Sequence, residues 1–168
     1  MTLSAGRHRY LVALGSNMRH PFHGSPRMVI EAAFAALTAR FDVEAASRIV
    51  STAPLGPSHR RYANAAAVVG TDMVPLDTLA ALQAIEREFG RRRRGQRWSA
   101  RVLDLDLILW SGGPFAEPHL QIPHPAFRER EFVLEPASDV APHWRDPETG
   151  LSLRQLHARL TRPRALPR

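Results

Sequence analysis

The chain has 168 residues, 44% of them hydrophobic, and this length and composition suit one globular domain spanning residues 1–168. It contains no cysteine, which excludes disulfide bonds and thiolate metal sites. There is no run of about 18 apolar residues, and the N-terminal apolar run is too short for a signal peptide. We therefore expect a cytoplasmic protein without a membrane span.

The basic residues carry a second compositional signal. The formal net charge is +7, and all 23 basic residues are arginines. Genome composition accounts for the general preference for arginine, whereas a local cluster points to an anionic partner, either a nucleic acid or a polyphosphate. Six arginines fall within residues 90–101 (GRRRRGQRWSAR), which favours a phosphate site there. The absence of lysine excludes a P-loop, whose motif requires a lysine after its glycines.

The first half of the chain predicts one helix among three strands. In chain order the predicted elements are a strand at 9–17, a helix at 25–41, a strand at 43–52, a loop at 53–61 and a strand at 62–71. The helix has the clearest start signal, because Ser25 suits the N-cap and Pro26 suits the first helical position.

The second half predicts a helix, a strand and an appended C-terminal segment. In chain order these elements are a helix at 74–90 that stops at Gly90, the arginine-rich loop at 90–101, a strand at 101–110, extended or irregular pieces with short helical turns at 120–127 and 131–142, and a helix at 152–160. The order β-α-β-β-α-β predicts an α+β, ferredoxin-like fold, with an antiparallel sheet whose helices cover one face. The other face is then available for a ligand or an extra layer.

Two aspartates interrupt the apolar strand RVLDLDLILW at 101–110. Asp104 and Asp106 are two residues apart, so their side chains share one face of the strand. The opposite face is expected to hold Leu103, Leu105, Leu107 and Leu109. The two carboxylates can face solvent, pair with arginine or bind a divalent metal ion. The arginine cluster just upstream favours the third interpretation, with Mg²⁺ held between carboxylates and phosphates.

Four segments resemble one known family. The stretch RWSARVLDLDLIL (97–109) resembles the signature of the 6-hydroxymethyl-7,8-dihydropterin pyrophosphokinases, which reads Arg-Trp-Gly-Pro-Arg-x-Leu-Asp-Leu-Asp. Three further segments resemble other parts of that family in the same order: ALGSN (13–17), STAPLGPSHRRYANAAAVV (51–69) and IPHPAFREREFVLEPASDVAP (122–142). Four motifs in order make the resemblance specific.

The resemblance implies a reaction and its cofactor. Members of this family transfer the β,γ-diphosphate of ATP to the hydroxymethyl oxygen of the pterin, which releases AMP in folate biosynthesis. They have a ferredoxin-like α+β fold and use two Mg²⁺ ions. The resemblance therefore implies an ATP-dependent diphosphokinase that acts on small molecules, with no nucleic-acid or membrane partner, and we expect a monomer.

Residue roles carry over by position within the matching motifs. Catalytic roles fall to Arg91, Arg101, Asp104 and Asp106, of which the two aspartates are also the metal ligands. ATP contacts fall to Gln83, Glu86, Arg97, Trp98 and His124, and pterin contacts to Tyr62, Asn64, Arg130 and Phe132. These types suit the task, because a flat heteroaromatic ring needs stacking partners and a few polar contacts at its edges.

The chain departs from the family pattern at three places, and two alternative functions are open. Ser99-Ala100 replace the Gly-Pro of the signature, Pro125 stands where relatives often have tyrosine, and His119 stands where some have arginine.

We expect the 90–101 loop to be mobile in the free protein and to order over the triphosphate, with Trp98 at its rim. The alternatives are a pterin-binding paralogue with an altered substrate and a basic, ferredoxin-like RNA-binding module.

Overall fold

The computed structural model describes residues 7–52, 61–90 and 102–163. In chain order its elements are β1 (His8–Ser16), α1 (Pro26–Thr38), β2 (Asp42–Ala46), β3 (Val50–Thr52), β4 (Tyr62–Thr71), α2 (Pro75–Glu88) and β5 (Asp104–Trp110). These five strands form the main sheet and all pair antiparallel, with β2, β4, β1 and β5 side by side and β3 paired to the same strand as β2. The predicted order is confirmed over this range, except that one predicted strand is two strands.

The start of α1 and the end of α2 lie where the sequence places their signals. The hydroxyl oxygen of Ser25 accepts a hydrogen bond from the backbone N–H of Met28 at 3.4 Å, so Ser25 is the N-cap of α1. After α2, Gly90 has a φ of 89°, a left-handed conformation that glycine adopts without steric penalty. The chain turns away from α2 at that point, immediately before the arginine-rich loop.

The sheet is buried on both faces. One core cluster packs α1 and α2 against one face, with Tyr10, Val12 and Leu14 of β1 pointing into it. The second cluster lies on the other face and includes Leu11 of β1 and Val68 of β4. Because successive side chains of a strand point to opposite faces, β1 and β4 read as continuous apolar runs.

Two C-terminal helices cover the second face, so the appended segment forms an extra layer. They are α3 (Glu131–Val140) and α4 (Leu153–Thr161). The start of α4 is fixed by a capping box in which Ser152 and Gln155 exchange side-chain and backbone hydrogen bonds. No helix in the described ranges is both long enough and apolar enough to cross a membrane.

The prediction of extended or irregular chain at 131–142 was wrong for most of that range. Residues 131–140 form helix α3, which contains Pro136. Proline usually ends a helix because it lacks an N–H, so Pro136 is a local signal against a helix in this segment. The helix persists because Val133, Leu134 and Ala137 are buried in the second core cluster. Packing therefore overrides the local preference.

The single strand predicted at 43–52 is divided into β2 and β3. The division falls at Ser47, whose backbone N–H donates to the carbonyl of Ala66 at 2.8 Å. The Ser47 hydroxyl oxygen also accepts a hydrogen bond from the N–H of Ala66 at 2.9 Å. A side chain thus takes the place of a backbone partner, and the regular strand pattern stops there.

A short hairpin and a bulge were also missed. The hairpin consists of β6 (Phe115–Glu117) and β7 (Leu120–Ile122), in a region where only 120–127 was expected to be extended. The bulge lies in β5, because Leu11 pairs with Leu109 while the next residue of β1 pairs with Leu107. Leu109 therefore joins the second core cluster instead of the face shared by Leu105 and Leu107.

Candidate active site

A row of three residues crosses the sheet at one end. Gly15 of β1 is paired with Asn64 of β4 on one side and with Asp104 of β5 on the other. Directly paired residues point to the same face, and two strand spacings separate Asn64 from Asp104 by about 10 Å. A methyl group added at Gly15 would lie 3.3 Å from Oδ1 of Asn64. The glycine therefore leaves an open slot between an amide and a carboxylate.

Asp104 and Asp106 share one face of β5, as the sequence predicted. Both are half-buried, while Leu105 between them points into the first core cluster. Within the described residues, no group of three or more histidine, aspartate or glutamate side chains could hold a metal ion. Two carboxylates still fit Mg²⁺, which characteristically takes one or two carboxylates and completes its shell with phosphate oxygens and water.

Glu86 of α2 holds the edge of the aspartate strand. Its side chain is 3% exposed, and Oε1 accepts a hydrogen bond from the backbone N–H of Leu105 at 2.8 Å. Leu105 lies between Asp104 and Asp106 on the edge strand of the sheet. The glutamate thus fixes the backbone that carries both predicted metal ligands, a contact that the sequence alone did not indicate.

His124 lies beside this pair of carboxylates. Its backbone N–H donates to the carbonyl of Ile108 at 3.1 Å, and its Nδ1 accepts from the N–H of Ala126 at 3.3 Å. The pKa of His124 is lowered by burial and by the cation of Arg130, against an opposing effect of Asp104. The neutral ring, with Nδ1 as acceptor, has Nε2–H as its donor.

The two predicted pterin-stacking residues are exposed instead of being part of the core. Tyr62 is 37% exposed on β4, and Phe132 is 47% exposed in the first turn of α3. The guanidinium of Arg130 lies 5.8 Å from the centre of the Phe132 ring. Asn64 is only 8% exposed, and its side chain is on the same strand face as Tyr62.

A cleft of about 400 Å³ lies between α2 and the β6–β7 hairpin. It brings together Gln83, Glu86, Asp106 and His124, four of the predicted ATP or metal residues. The hairpin contributes Glu117, Pro118, His119, Leu120 and Gln121, and Pro125 lies at the same cleft. The two departures His119 and Pro125 therefore line the same cleft as the predicted ATP residues.

The sequence interpretation missed Gly15, Glu117 and Gln121 as lining residues of the site. For Gly15 the signal was present, since it lies within ALGSN, directly before the polar residues Ser16 and Asn17. The hairpin residues carried no signal because β6 and β7 have three residues each. Four further predicted residues lie outside the described residues, together with Ser99-Ala100 and the expected loop mobility: Arg91, Arg97, Trp98 and Arg101.

The chain is similar to proteins of one known family. The family model for 7,8-dihydro-6-hydroxymethylpterin-pyrophosphokinase (HPPK) matches residues 11–142, a range that holds the row, the aspartates and the cleft. The chain belongs to the HPPK family. A 2-amino-4-hydroxy-6-hydroxymethyldihydropteridine pyrophosphokinase of Pseudomonas aeruginosa is 41% identical over 143 residues, which are 83% of this chain and 85% of the relative.

Further HPPK relatives extend the similarity. A pyrophosphokinase of the same description from Synechocystis is 35% identical over 149 residues, 89% of this chain and 74% of the relative. The crystal structure of Plasmodium falciparum HPPK-DHPS wild type with SDX-DHP matches with a TM-score of 0.71 at 12% identity. That match covers 91% of this chain and 44% of the Plasmodium chain, so our chain spans less than half of that protein, and the likeness supports the fold.

Proposed function

We propose that this HPPK-family chain transfers the β,γ-diphosphate of ATP to the hydroxymethyl oxygen of 6-hydroxymethyl-7,8-dihydropterin, a reaction of folate biosynthesis. The row of Asn64, Gly15 and Asp104 carries the proposal, since it places a nearly buried amide and a carboxylate on either side of a residue without a side chain. Asp106, two residues further along β5, lines the cleft beside α2. One face of the molecule thus offers a pterin subsite and a nucleotide subsite with an acidic pair between them.

The pterin subsite is assigned to Tyr62, Asn64, Arg130 and Phe132. Asn64 forms hydrogen bonds with the polar edge of the pterin ring, because a nearly buried amide must find hydrogen-bond partners. The exposed rings of Tyr62 and Phe132 supply the stacking surface. Arg130 brings a positive charge to the hydroxymethyl end, where the transferred phosphate arrives.

The nucleotide subsite is assigned to the cleft residues Gln83, Glu86 and His124. His124 donates from Nε2 to a phosphate oxygen, and its position depends on the bond to the Ile108 carbonyl. From the sequence we add Arg91, Arg97, Arg101 and Trp98 as contacts to the triphosphate and the nucleotide.

The Asp104 and Asp106 carboxylates are the proposed ligands of Mg²⁺, and the family resemblance implies two ions. Bound Mg²⁺ supplies neutralisation of the charge on the triphosphate. The chain's own residues then hold the pterin oxygen in line with the β-phosphorus of ATP. The new bond joins that oxygen to the β-phosphorus. The bond from the β-phosphorus to the oxygen shared with the α-phosphorus breaks, and AMP leaves with both bonding electrons. The hydroxyl proton is released.

The test is direct product analysis. The purified chain is incubated with ATP, magnesium and the reduced hydroxymethylpterin, and mass spectrometry measures AMP and the pterin diphosphate. Equal amounts of the two products, and none when magnesium is chelated, are expected. Release of ADP, or binding of the pterin without AMP formation, would reject the proposal in favour of a paralogue with altered function.

The alternative of an RNA-binding module loses its main support. Ferredoxin-like RNA-binding domains stack bases on an open sheet face, whereas helices cover both faces of this sheet. Among the sequence predictions, the absence of a nucleic-acid partner, the monomeric state and the cytoplasmic location remain part of the proposal. Sedimentation of the purified chain with and without RNA measures the first two.

A further inference from the structure

The segment from Pro123 to Phe132 carries three of the proposed site residues. His124 lies near its beginning, and Arg130 and Phe132 lie at its end. The beginning is fixed to β5 by the hydrogen bond from the His124 N–H to the carbonyl of Ile108 at 3.1 Å. The end runs directly into α3, whose Val133 and Leu134 are buried in the second core cluster, and its connection to His124 depends on what holds the chain in between.

The hydrogen bonds within this segment are long. Each is a backbone N–H donating to a carbonyl three residues earlier: Phe127 to His124 at 3.2 Å, Glu129 to Ala126 at 3.3 Å, and Arg130 to Phe127 at 3.3 Å. These distances lie at or beyond the upper end of the usual range for N–H···O bonds. On the His124 side, local hydrogen bonding therefore fixes Arg130 only weakly, whereas on the α3 side the Arg130 carbonyl accepts from the N–H groups of Val133 and Leu134, each at 3.0 Å.

Arg128 attaches the middle of the segment to the C-terminal layer. Its Nε and Nη2 donate to the two carboxylate oxygens of Asp146, each at 2.7 Å. Nη2 also lies 2.9 Å from a carboxylate oxygen of Glu148, and the guanidinium lies 4.8 Å from the centre of the fully buried Phe127 ring. A paired fork of this kind fixes direction as well as distance.

Asp146 is itself held rigidly. Its side chain has no exposed surface, and it also accepts hydrogen bonds from Thr149 Oγ1 at 2.6 Å and from the N–H of Glu148 at 3.2 Å. Burial raises the pKa of Asp146, but the hydrogen bonds from Arg128, Thr149 and Glu148 lower it to about 2. The carboxylate is therefore charged throughout the neutral range and forms a fixed anchor.

We propose that Arg128 and Asp146 are positioning residues for the pterin end of the active site. The fork fixes the chain as it leaves Phe127 and thereby places Arg130 and Phe132. The inference rests on the proposed function, which assigns those two residues to the pterin. Asp146 lies beyond residue 142, where the match to the HPPK family model ends, so the anchor belongs to the C-terminal segment of this chain.

The test measures the two substrates separately in Asp146→Asn and Arg128→Lys. We expect kcat/KM for the pterin to fall about tenfold to a hundredfold in Asp146→Asn, the effect of a misplacement of about 1 Å. The affinity for a non-hydrolysable ATP analogue should stay close to that of the parent chain, because His124 has its own bond to β5. Arg128→Lys keeps the charge and loses the fork, so an intermediate loss is expected.

A matched control separates positioning from stability. Leu37→Ala removes a fully buried side chain on α1, on the opposite face of the sheet, and should lower Tm without changing the KM for the pterin. All assays are run below the Tm measured by circular dichroism. If Asp146→Asn lowers Tm but leaves the KM and kcat for the pterin unchanged, the proposal is overturned. If that variant does not fold, Arg128→Lys decides by the same criterion.

Two further variants distinguish this inference from the proposed function. Arg130→Ala and Phe132→Ala are tested for pterin binding by calorimetry. Normal binding in both would reject the pterin subsite, and the positioning inference would fail with it. Loss of binding in both, with normal binding in Asp146→Asn, would overturn the positioning inference alone.

Discussion

At the scale of single residues, the proposed chemistry rests on two charged side chains within an apolar strand. Asp104 and Asp106 are half-buried on one strand face, so each like charge opposes the other and a bound cation would offset that repulsion. The position of these two charges could be predicted from the sequence, because the carboxylates alternate with leucines. It could not reveal the Glu86 contact to Leu105, which depends on how α2 packs against the edge strand.

Removal of either charge tests the metal assignment. We expect Asp104→Asn and Asp106→Asn to reduce turnover by about a hundredfold to a thousandfold or more, because charge stabilisation of the transferred group is lost. The fold should survive, since the amide keeps the shape of the side chain. Turnover and circular dichroism of each variant are measured. Asp42→Asn, at an exposed carboxylate of the same sheet, is the control and should keep full activity. Wild-type turnover in either active-site variant would contradict the assignment.

The amide and the exposed ring test the pterin subsite. Asn64→Ala and Phe132→Ala should weaken pterin binding and leave ATP binding nearly intact. For Asn64 the loss of a buried hydrogen-bond partner is worth about 1–3 kcal/mol. Calorimetry with each ligand makes the measurement, and Met28→Ala, at a side chain 53% exposed on α1, serves as the control. Equal losses for both ligands would show that these residues support the fold and do not define the subsite.

At the scale of elements, the sequence predicted what local signals determine and failed where packing decides. The N-cap Ser25 and the stop at Gly90 define α1 and the end of α2. Helix α3 was missed, because Pro136 contradicts a helix locally while the buried Val133 and Leu134 demand one. The bulge at the end of β5 was missed too, since strict alternation places Leu109 on the wrong face.

Protonation of Asp146 should lower the stability of the folded chain in acid. Asp146 has a folded pKa of about 2 against an ordinary 3.8, so its contribution to stability is present above pH 3.8 and is lost as the pH falls towards 2. This shift corresponds to roughly 2 kcal/mol. Urea unfolding at about pH 5 and about pH 2.5 should therefore show a larger acid loss in the parent chain than in Asp146→Asn.

The control for this titration is again Asp42→Asn, which removes an exposed carboxylate 2.9 Å from Arg7. Its acid dependence should match that of the parent chain, because exposed ion pairs contribute little. An identical acid loss in the parent chain and in Asp146→Asn would show that the anchor does not stabilise the folded state.

The whole molecule is a sheet with two cores, and the second core depends on the C-terminal residues. A chain that stops after Pro142 lacks Leu153 and Leu156, which are both buried. Each such side chain contributes about 1.5–3 kcal/mol, a large part of the roughly 5–15 kcal/mol that stabilises a domain. We expect the shortened chain to lose dispersion in its NMR spectrum and to bind a hydrophobic dye.

A chain that stops after Pro163 is the matched control and should give the spectrum of the full chain. A well-dispersed spectrum from the shorter chain would show that residues 11–142, the range matched by the family model, fold without the extra layer. The sequence indicated a free sheet face and named an extra layer as one way to cover it. It could not show which segment does so, because that depends on contacts distant in the sequence.

The absence of a side chain at Gly15 also affects how resistance to an inhibitor could arise. A compound that fills the slot beside Asn64 would occupy space that only glycine leaves open. Resistance by enlarging residue 15 would place a methyl group 3.3 Å from the Asn64 Oδ1, in the same space that the substrate ring is proposed to use. A pathogen could then exclude the drug only by impairing its own enzyme. Escape through this position should therefore be rare, and compounds that reach into the slot are the ones for which resistance evolves most slowly.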